Sequence, residues 1–212
     1  LRKSHRRDGL GKCLSRCRVL MVAEFADIFA DKVIAEMRGV HDENGHSPFY
    51  ANLAKHFFKM PFRDADYINA TEGGQFIADL MPKYPIYQKL LAPEAQAVIG
   101  VVNEASKPAV KLLEREGFHY ADYLDIFDAG PTVEAESKTI RTIRHSQKVT
   151  VAELSSAPLD NTKFILMTTQ LKNLRITQAH ARLTEDGGII LFAETAQKLG
   201  VTEGDNLRIV EA

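Results

Sequence analysis

Apolar residues recur along 11–30 at Leu14, Val19, Leu20, Val22, Ala23, Ala26, Ile28 and Phe29, a wide stripe of the kind a helix lays against a sheet. Asp31 and Lys32 interrupt it. The apolar-rich run 33–38 then predicts a short buried strand, and the polar stretch 39–47 (GVHDENGHS) a turn-rich loop. Ser47 before Pro48 offers an N-cap with proline at the first helical position, so the pattern predicts a helix over 48–58. Prolines at 82, 85 and 93 cut the following stretch, 62–93, into the short helices and turns of a connector. The run 96–102 (QAVIGVV) predicts a second buried strand, 103–107 a loop, and 108–116 a helix opened by Pro108 and closed by Gly117. A strand over 118–127 and a turn over 128–131 follow.

Laying 47–58 over 107–118 aligns Pro48 with Pro108, Leu53 with Leu113 and Phe58 with Phe118. This pattern predicts an internal duplication of a strand-loop-helix unit, with repeats at about 11–62 and 96–128. The last third changes character. Short β-like runs at 148–154, 163–169, 174–183, 188–192 and 206–210 alternate with turn residues; only 194–199 reads as helix, capped by Gly200. Ser155 to Pro158 reads as a linker. The expected fold class is α+β: a core over 1–144 and a small all-β subdomain over 145–212 that serves packing or assembly.

Composition narrows the function. At 212 residues the chain can build one sizeable domain with an appendage. A net charge of -1 with 26% charged residues gives no basic surface for a polyanion, so nucleic acid is not an expected partner. No apolar run approaches the roughly 20 residues that span a bilayer, and no signal peptide is visible, so neither a membrane nor secretion is expected. Cys13 and Cys17 stand four apart on one helix face with no second ligand pair nearby; they read as reduced thiols of a cytoplasmic protein, with no metal. The chain starts at Leu1, where a strand would be expected to lead into the next feature, so strands before it are expected to be missing.

That feature is His5-Arg6-Arg7-Asp8-Gly9-Leu10-Gly11-Lys12, two glycines and a cationic cluster at the opening of the first helix. Backbone amides and the positive helix end would converge there, which suits a phosphate. The form Arg6-x-x-Gly9-x-Gly11 resembles the pyrophosphate loop of the GNAT acyl-CoA-dependent acyltransferases, with Arg6, Arg7, Gly9, Leu10, Gly11 and Lys12 as the cofactor-side candidates. The nucleotide-hydrolase loop is not matched, because Lys12 is followed by Cys13. Asn103-x5-Ala109-x7-Gly117-Phe118 is similar to the second GNAT element, which grips the pantetheine arm.

The resemblance becomes closer in the runs 33–39, Asp42-Glu43, 47–50, Phe57-Phe58, Ala65-Asp66, 76–82, 85–87 and Asp125-Ile126-Phe127-Asp128-x-Gly130-Pro131-Thr132. Together with Arg6-x-x-Gly9-x-Gly11 followed by Leu14-Ser15-x-x-Arg18, these resemble the arginine N-succinyltransferase family over most of 6–144, with the tail matched in general character and the chain corresponding to the C-terminal portion of the family chain. The resemblance implies a duplicated GNAT-like core, transfer of succinyl from succinyl-CoA to the α-amino group of L-arginine, no permanently bound cofactor, and a homo- or hetero-oligomer. It also implies a histidine proton donor where this chain has Asn103. An asparagine amide can hydrogen-bond but cannot act as an acid or a base near neutral pH. His119, Tyr120, Glu36 and His41 are the candidate substitutes; the alternative is a non-catalytic or partner-dependent subunit. On the substrate side a guanidinium calls for carboxylates, with Glu36, Asp42, Glu43 and Asp125 available, and the succinyl carboxylate calls for a cation, with Arg38 the candidate.

Overall fold

The computed structural model describes Ser4 and residues 9–212. It divides into two compact units, one of residues 1–33 with 136–212 and one of residues 34–135.

The first unit is built on a closed five-stranded barrel. Its strands are β4 (Gln147–Ser155), β5 (Lys163–Thr168), β6 (Ile176–Leu183), β7 (Ile189–Phe192) and β8 (Asn206–Glu211), in the order β4-β7-β6-β5-β8. Only β4 and β7 run parallel. Closure leaves no strand edge exposed for stray pairing. Val149, Val151, Phe164, Leu166, Leu191, Leu207 and Ile209 fill the interior, and α8 (Ala193–Leu199) adds Ala196 and Leu199. The stretch from Ser155 to Pro158, read as a linker, lies in the connection from β4 to β5 of this barrel.

Strand β5 is buried on both faces. Phe164 and Leu166 point into the barrel, while Ile165 and Met167 pack outward with Val210 against Cys13, Cys17 and Leu20 of α1 (Leu10–Glu24). That accounts for its unbroken apolar run. Two polar anchors fix α1: the buried Arg16 donates from Nε to Thr142 Oγ1 at 2.8 Å and from NH1 to the Glu211 carbonyl at 2.6 Å. At the other end the buried Glu24 carboxylate meets Arg208 Nε at 2.9 Å and Lys148 Nζ at 3.4 Å. The helix stops at Glu24, where Phe25 (φ -113) leaves helical geometry; a 3-10 turn covers Ala26–Ile28, so the helix expected to reach residue 30 is shorter.

The second unit is mainly helical. α2 (Pro48–Asn52), α3 (Ala54–Phe58), α4 (Phe62–Glu72) and α5 (Gln75–Leu80) surround a cluster of Tyr50, Ala54, Phe58, Ala65 and Phe127. The helix expected over 48–58 is broken at Leu53 (φ -130, ψ -78) into α2 and α3, with the Ser47 hydroxyl accepting from Tyr50 N as the expected cap. α7 (Lys107–Glu116) opens on proline and closes at Gly117 as expected. β2 (His119–Leu124) pairs antiparallel with β3 (Pro131–Glu136), a strand the sequence pattern did not suggest, in a sheet ordered β1-β3-β2 with β1 (Lys32–Glu36).

The strand expected over 96–102 does not form. Its start belongs to α6 (Pro93–Gln96), and turns follow, with Val98 N bonded to the Ala95 carbonyl and Val101 N to the Val98 carbonyl. Pro93 presets the helical turn and Gly100 takes a left-handed φ of 72, so local bonds win over a sheet ladder. Without that strand the expected duplication of a strand-loop-helix unit has no second strand. The architecture is mixed α+β with a closed barrel. No helix among the described residues is long and apolar enough to cross a membrane.

Candidate active site

Past the end of β1, the chain crosses the turn at 128–130 closely enough that glycine is required on both sides. A Cβ on Gly39 would sit 2.3 Å from the Asp128 carbonyl oxygen, and one on Gly130 would sit 1.9 Å from the Met37 carbonyl oxygen. The buried Asp128 carboxylate clamps the crossing. Oδ2 accepts from Gly39 N at 2.8 Å and Oδ1 from Gly130 N at 2.8 Å. Ala129 between them is held in left-handed geometry (φ 56), an unfavourable conformation for a residue with a Cβ that the surrounding bonds enforce. On the other side of the same peptide group, the Arg38 carbonyl accepts from Asn103 N at 2.9 Å.

The clamp gathers Glu36, Arg38, His41, Asn103, Asp125 and Asp128 in one unit. Asp125 Oδ1 accepts from Phe127 N at 2.8 Å and Asp128 N at 2.9 Å. Burial pushes its carboxyl above the usual carboxylate value, and the charges of Asp128 and Glu36 push the same way against those two amides. Glu36 and Arg38 are exposed. The Asn103 side-chain oxygen accepts from Ala105 N at 3.0 Å, capping the 3-10 turn Glu104–Ser106. The His41 side chain is only 3% exposed. Its Nδ1 lies 3.1 Å from the Gly39 carbonyl oxygen. Chemically, the carboxylates of Glu36 and Asp125 suit a cation, Arg38 suits an anion, and Asn103 can hydrogen-bond but not transfer a proton.

Other sequence candidates lie elsewhere. Gly9 (φ 70) is the N-cap of α1, with Leu10, Gly11 and Lys12 exposed in its first turn and no acidic side chain there. This suits an anion, but these residues belong to the barrel unit. Arg6 and Arg7 lie outside the described residues. His119 and Tyr120 are exposed at the start of β2. Asp42 is exposed in the loop after Gly39, its carboxyl held below the usual value first by the His46 amide, then by the His46 ring and the Asn44 amide. No group of three or more metal-ligating side chains occurs among the described residues. The sequence pattern marks Asp128-x-Gly130-Pro131 as a turn but carries no sign of the strand end it grips.

Among known proteins, the chain is similar to subunits named as succinyltransferases. A family model described as arginine N-succinyltransferase beta subunit matches residues 1–142, and one for the C-terminal domain of that subunit matches 147–211. The chain belongs to the arginine N-succinyltransferase beta-subunit family, and the match extends through the barrel, beyond the 6–144 of the sequence resemblance. It is 44% identical over 210 residues to a protein of Pseudomonas aeruginosa named arginine N-succinyltransferase subunit beta, covering 99% of this chain and 61% of that one. An arginine N-succinyltransferase of Enterobacter sp. strain 638 is 44% identical over 205 residues, covering 97% and 59%. The structure of arginine/ornithine succinyltransferase subunit AI from Pseudomonas aeruginosa superposes with a TM-score of 0.82 at 30% identity, over 100% of this chain and 60% of that one. The chain thus spans about three fifths of the length of these relatives.

Proposed function

We propose that this chain takes part in arginine N-succinyl transfer, moving succinyl from succinyl-CoA to the α-amino group of L-arginine, with no permanently bound cofactor. The observation that carries the reading is the pinning of Asn103, at the family's proton-donor position, to the peptide that follows the exposed Glu36 and Arg38. Acceptor-side charges and the reaction position therefore belong to one rigid crossing. In this reading Glu36 takes the cationic end of the amino acid and Arg38 the succinyl carboxylate. Arg6, Arg7, Gly9, Leu10, Gly11 and Lys12 take the CoA phosphates. The free amine attacks the thioester carbonyl, the C–S bond breaks with little need of acid assistance, and the proton shed by the nitrogen passes through water to the departing thiolate. Positioning supplies most of the rate.

A second reading is favoured by Asn103 itself, whose side-chain oxygen is already used as a turn cap and whose side-chain amide cannot act as an acid or a base. In it the chain is a non-catalytic or partner-dependent subunit of a hetero-oligomeric arginine/ornithine succinyltransferase. CoA release from succinyl-CoA, followed separately with L-arginine and L-ornithine for the full chain, tests the first reading. Arginine-dependent release supports it; release that appears only after a homologous subunit is added supports the second.

A further inference from the structure

His41 has an environment that neither the fold nor the proposed chemistry explains. Its Nε2 is buried and has no hydrogen-bond partner, which is unfavourable for a group that would be solvated in the unfolded chain. The ring stands edge-on to Phe62 at 5.1 Å between centroids, and Phe62 in turn meets Phe127, the neighbour of Asp128. An apolar residue would fill that space without leaving an acceptor stranded. What an apolar residue cannot do is what Nδ1 does. A carbonyl oxygen only accepts, so the contact at 3.1 Å places the proton on Nδ1, donating to Gly39, while Asp128 Oδ2 lies 3.8 Å away.

Resting on the proposed reading of the Asn103 site, we propose that His41 is a positioning residue that fixes the Asn103 end of that site. The Arg38–Gly39 peptide is held by Asp128 on its N–H edge and by the Asn103 amide on its C=O edge. The next carbonyl along, that of Gly39, is held by His41. Gly39 has no side chain to restrain it, so without the ring the second peptide is free to rotate, and the rotation is felt at the Arg38 carbonyl. Because Nε2 is buried, His41 acts through these neighbours and not on substrate.

The test compares His41→Leu with His41→Asn in the full chain, since an asparagine Nδ2 falls close to the place of the histidine Nδ1. The first readout is hydrogen exchange of the Asn103 amide, which requires no turnover. His41→Leu is expected to speed that exchange about tenfold, the equivalent of one net hydrogen bond, while Ile165 and Leu166 in the barrel keep wild-type protection. His41→Asn is expected to restore most of the protection. Where CoA release is measurable, kcat should fall in His41→Leu with KM for succinyl-CoA little changed. Equal Asn103 protection in wild type and His41→Leu overturns the proposal, as does equal loss in both variants. If His41→Leu does not fold, His41→Phe, which keeps the ring volume, takes its place. A full chain that releases no CoA removes the reaction assigned to the site but leaves the exchange result to decide the positioning.

Discussion

Asp128 and Asn103 hold opposite edges of one peptide group: the carboxylate takes the Gly39 N–H at 2.8 Å, and the Asn103 N–H is donated to the Arg38 carbonyl at 2.9 Å. The candidate site is therefore set by backbone, and its geometry depends on a buried carboxylate bonded to the Gly39 and Gly130 amides.

Removing that carboxylate should be costly. Asp128→Ala strands two backbone amides, Gly39 and Gly130, at about 1–3 kcal/mol each. Asp128→Asn keeps one acceptor oxygen and should lose roughly half as much. Denaturant melts of both variants, read by exchange of the Gly39 amide, check the order; equal stability of Asp128→Ala and wild type would refute the clamp.

Close approach at the crossing predicts a contrast between glycines. In Gly130→Ala the new Cβ falls 1.9 Å from the Met37 carbonyl oxygen, backbone that cannot yield cheaply, so a loss of about 3 kcal/mol is expected. At Gly74 the nearest atoms are the flexible Asn69 Oδ1 at 3.6 Å and Ile77 Cδ1 at 3.9 Å, so Gly74→Ala should stay within about 0.5 kcal/mol of wild type. Thermal melts of the two variants side by side make the comparison.

Asp125 should leave a mark on pH dependence. Burial raises its carboxyl in the folded chain above the ordinary carboxylate value, so its contribution to stability is complete below that value and declines as pH rises through the folded pKa. Asp125→Asn retains an oxygen for the Phe127 and Asp128 amides and removes the charge. Its stability relative to wild type should improve as pH rises from the ordinary carboxylate value through the raised folded one; a pH-independent difference would contradict the assignment.

Much of this was legible in local pattern. Pro108 and Gly117 bracket α7, Ser47 caps α2, and the short apolar runs after residue 145 became the barrel strands because alternation and turn residues are local signals. The apolar run 96–102 misled because a short buried segment has no periodicity to separate strand from helix. The clamp was out of reach for another reason: Gly39 and Asp128 lie 89 residues apart, and nothing in either segment marks its partner. The docking of α1 on β5 and β8 was hidden in the same way, since its apolar stripe would suit any sheet.

That docking can be tested at Glu24. Glu24→Gln removes the charge that Arg208 and Lys148 share at the end of α1, and should cost the barrel unit about 1–3 kcal/mol in a urea melt. An unchanged midpoint would show that the apolar contacts of Leu20 and Met21 suffice.

The cysteines bear on how the chemistry can be followed. Burial first, and the neighbouring Cys13, push the Cys17 thiol up to about 12, and both thiols are buried. Neither should react with a disulfide reagent at pH 8 until the chain unfolds, when both become titratable. Rapid native labelling would contradict that burial.

Silent protein thiols leave released CoA as the signal. The most direct test is CoA release by the full chain from succinyl-CoA and L-arginine, beside its Asn103→His variant. Arginine-dependent release by the wild-type chain, with the variant faster by no more than about the 10²–10⁴ that a general acid contributes, is the expected result. No release from either protein would contradict the proposal that this chain carries the transfer.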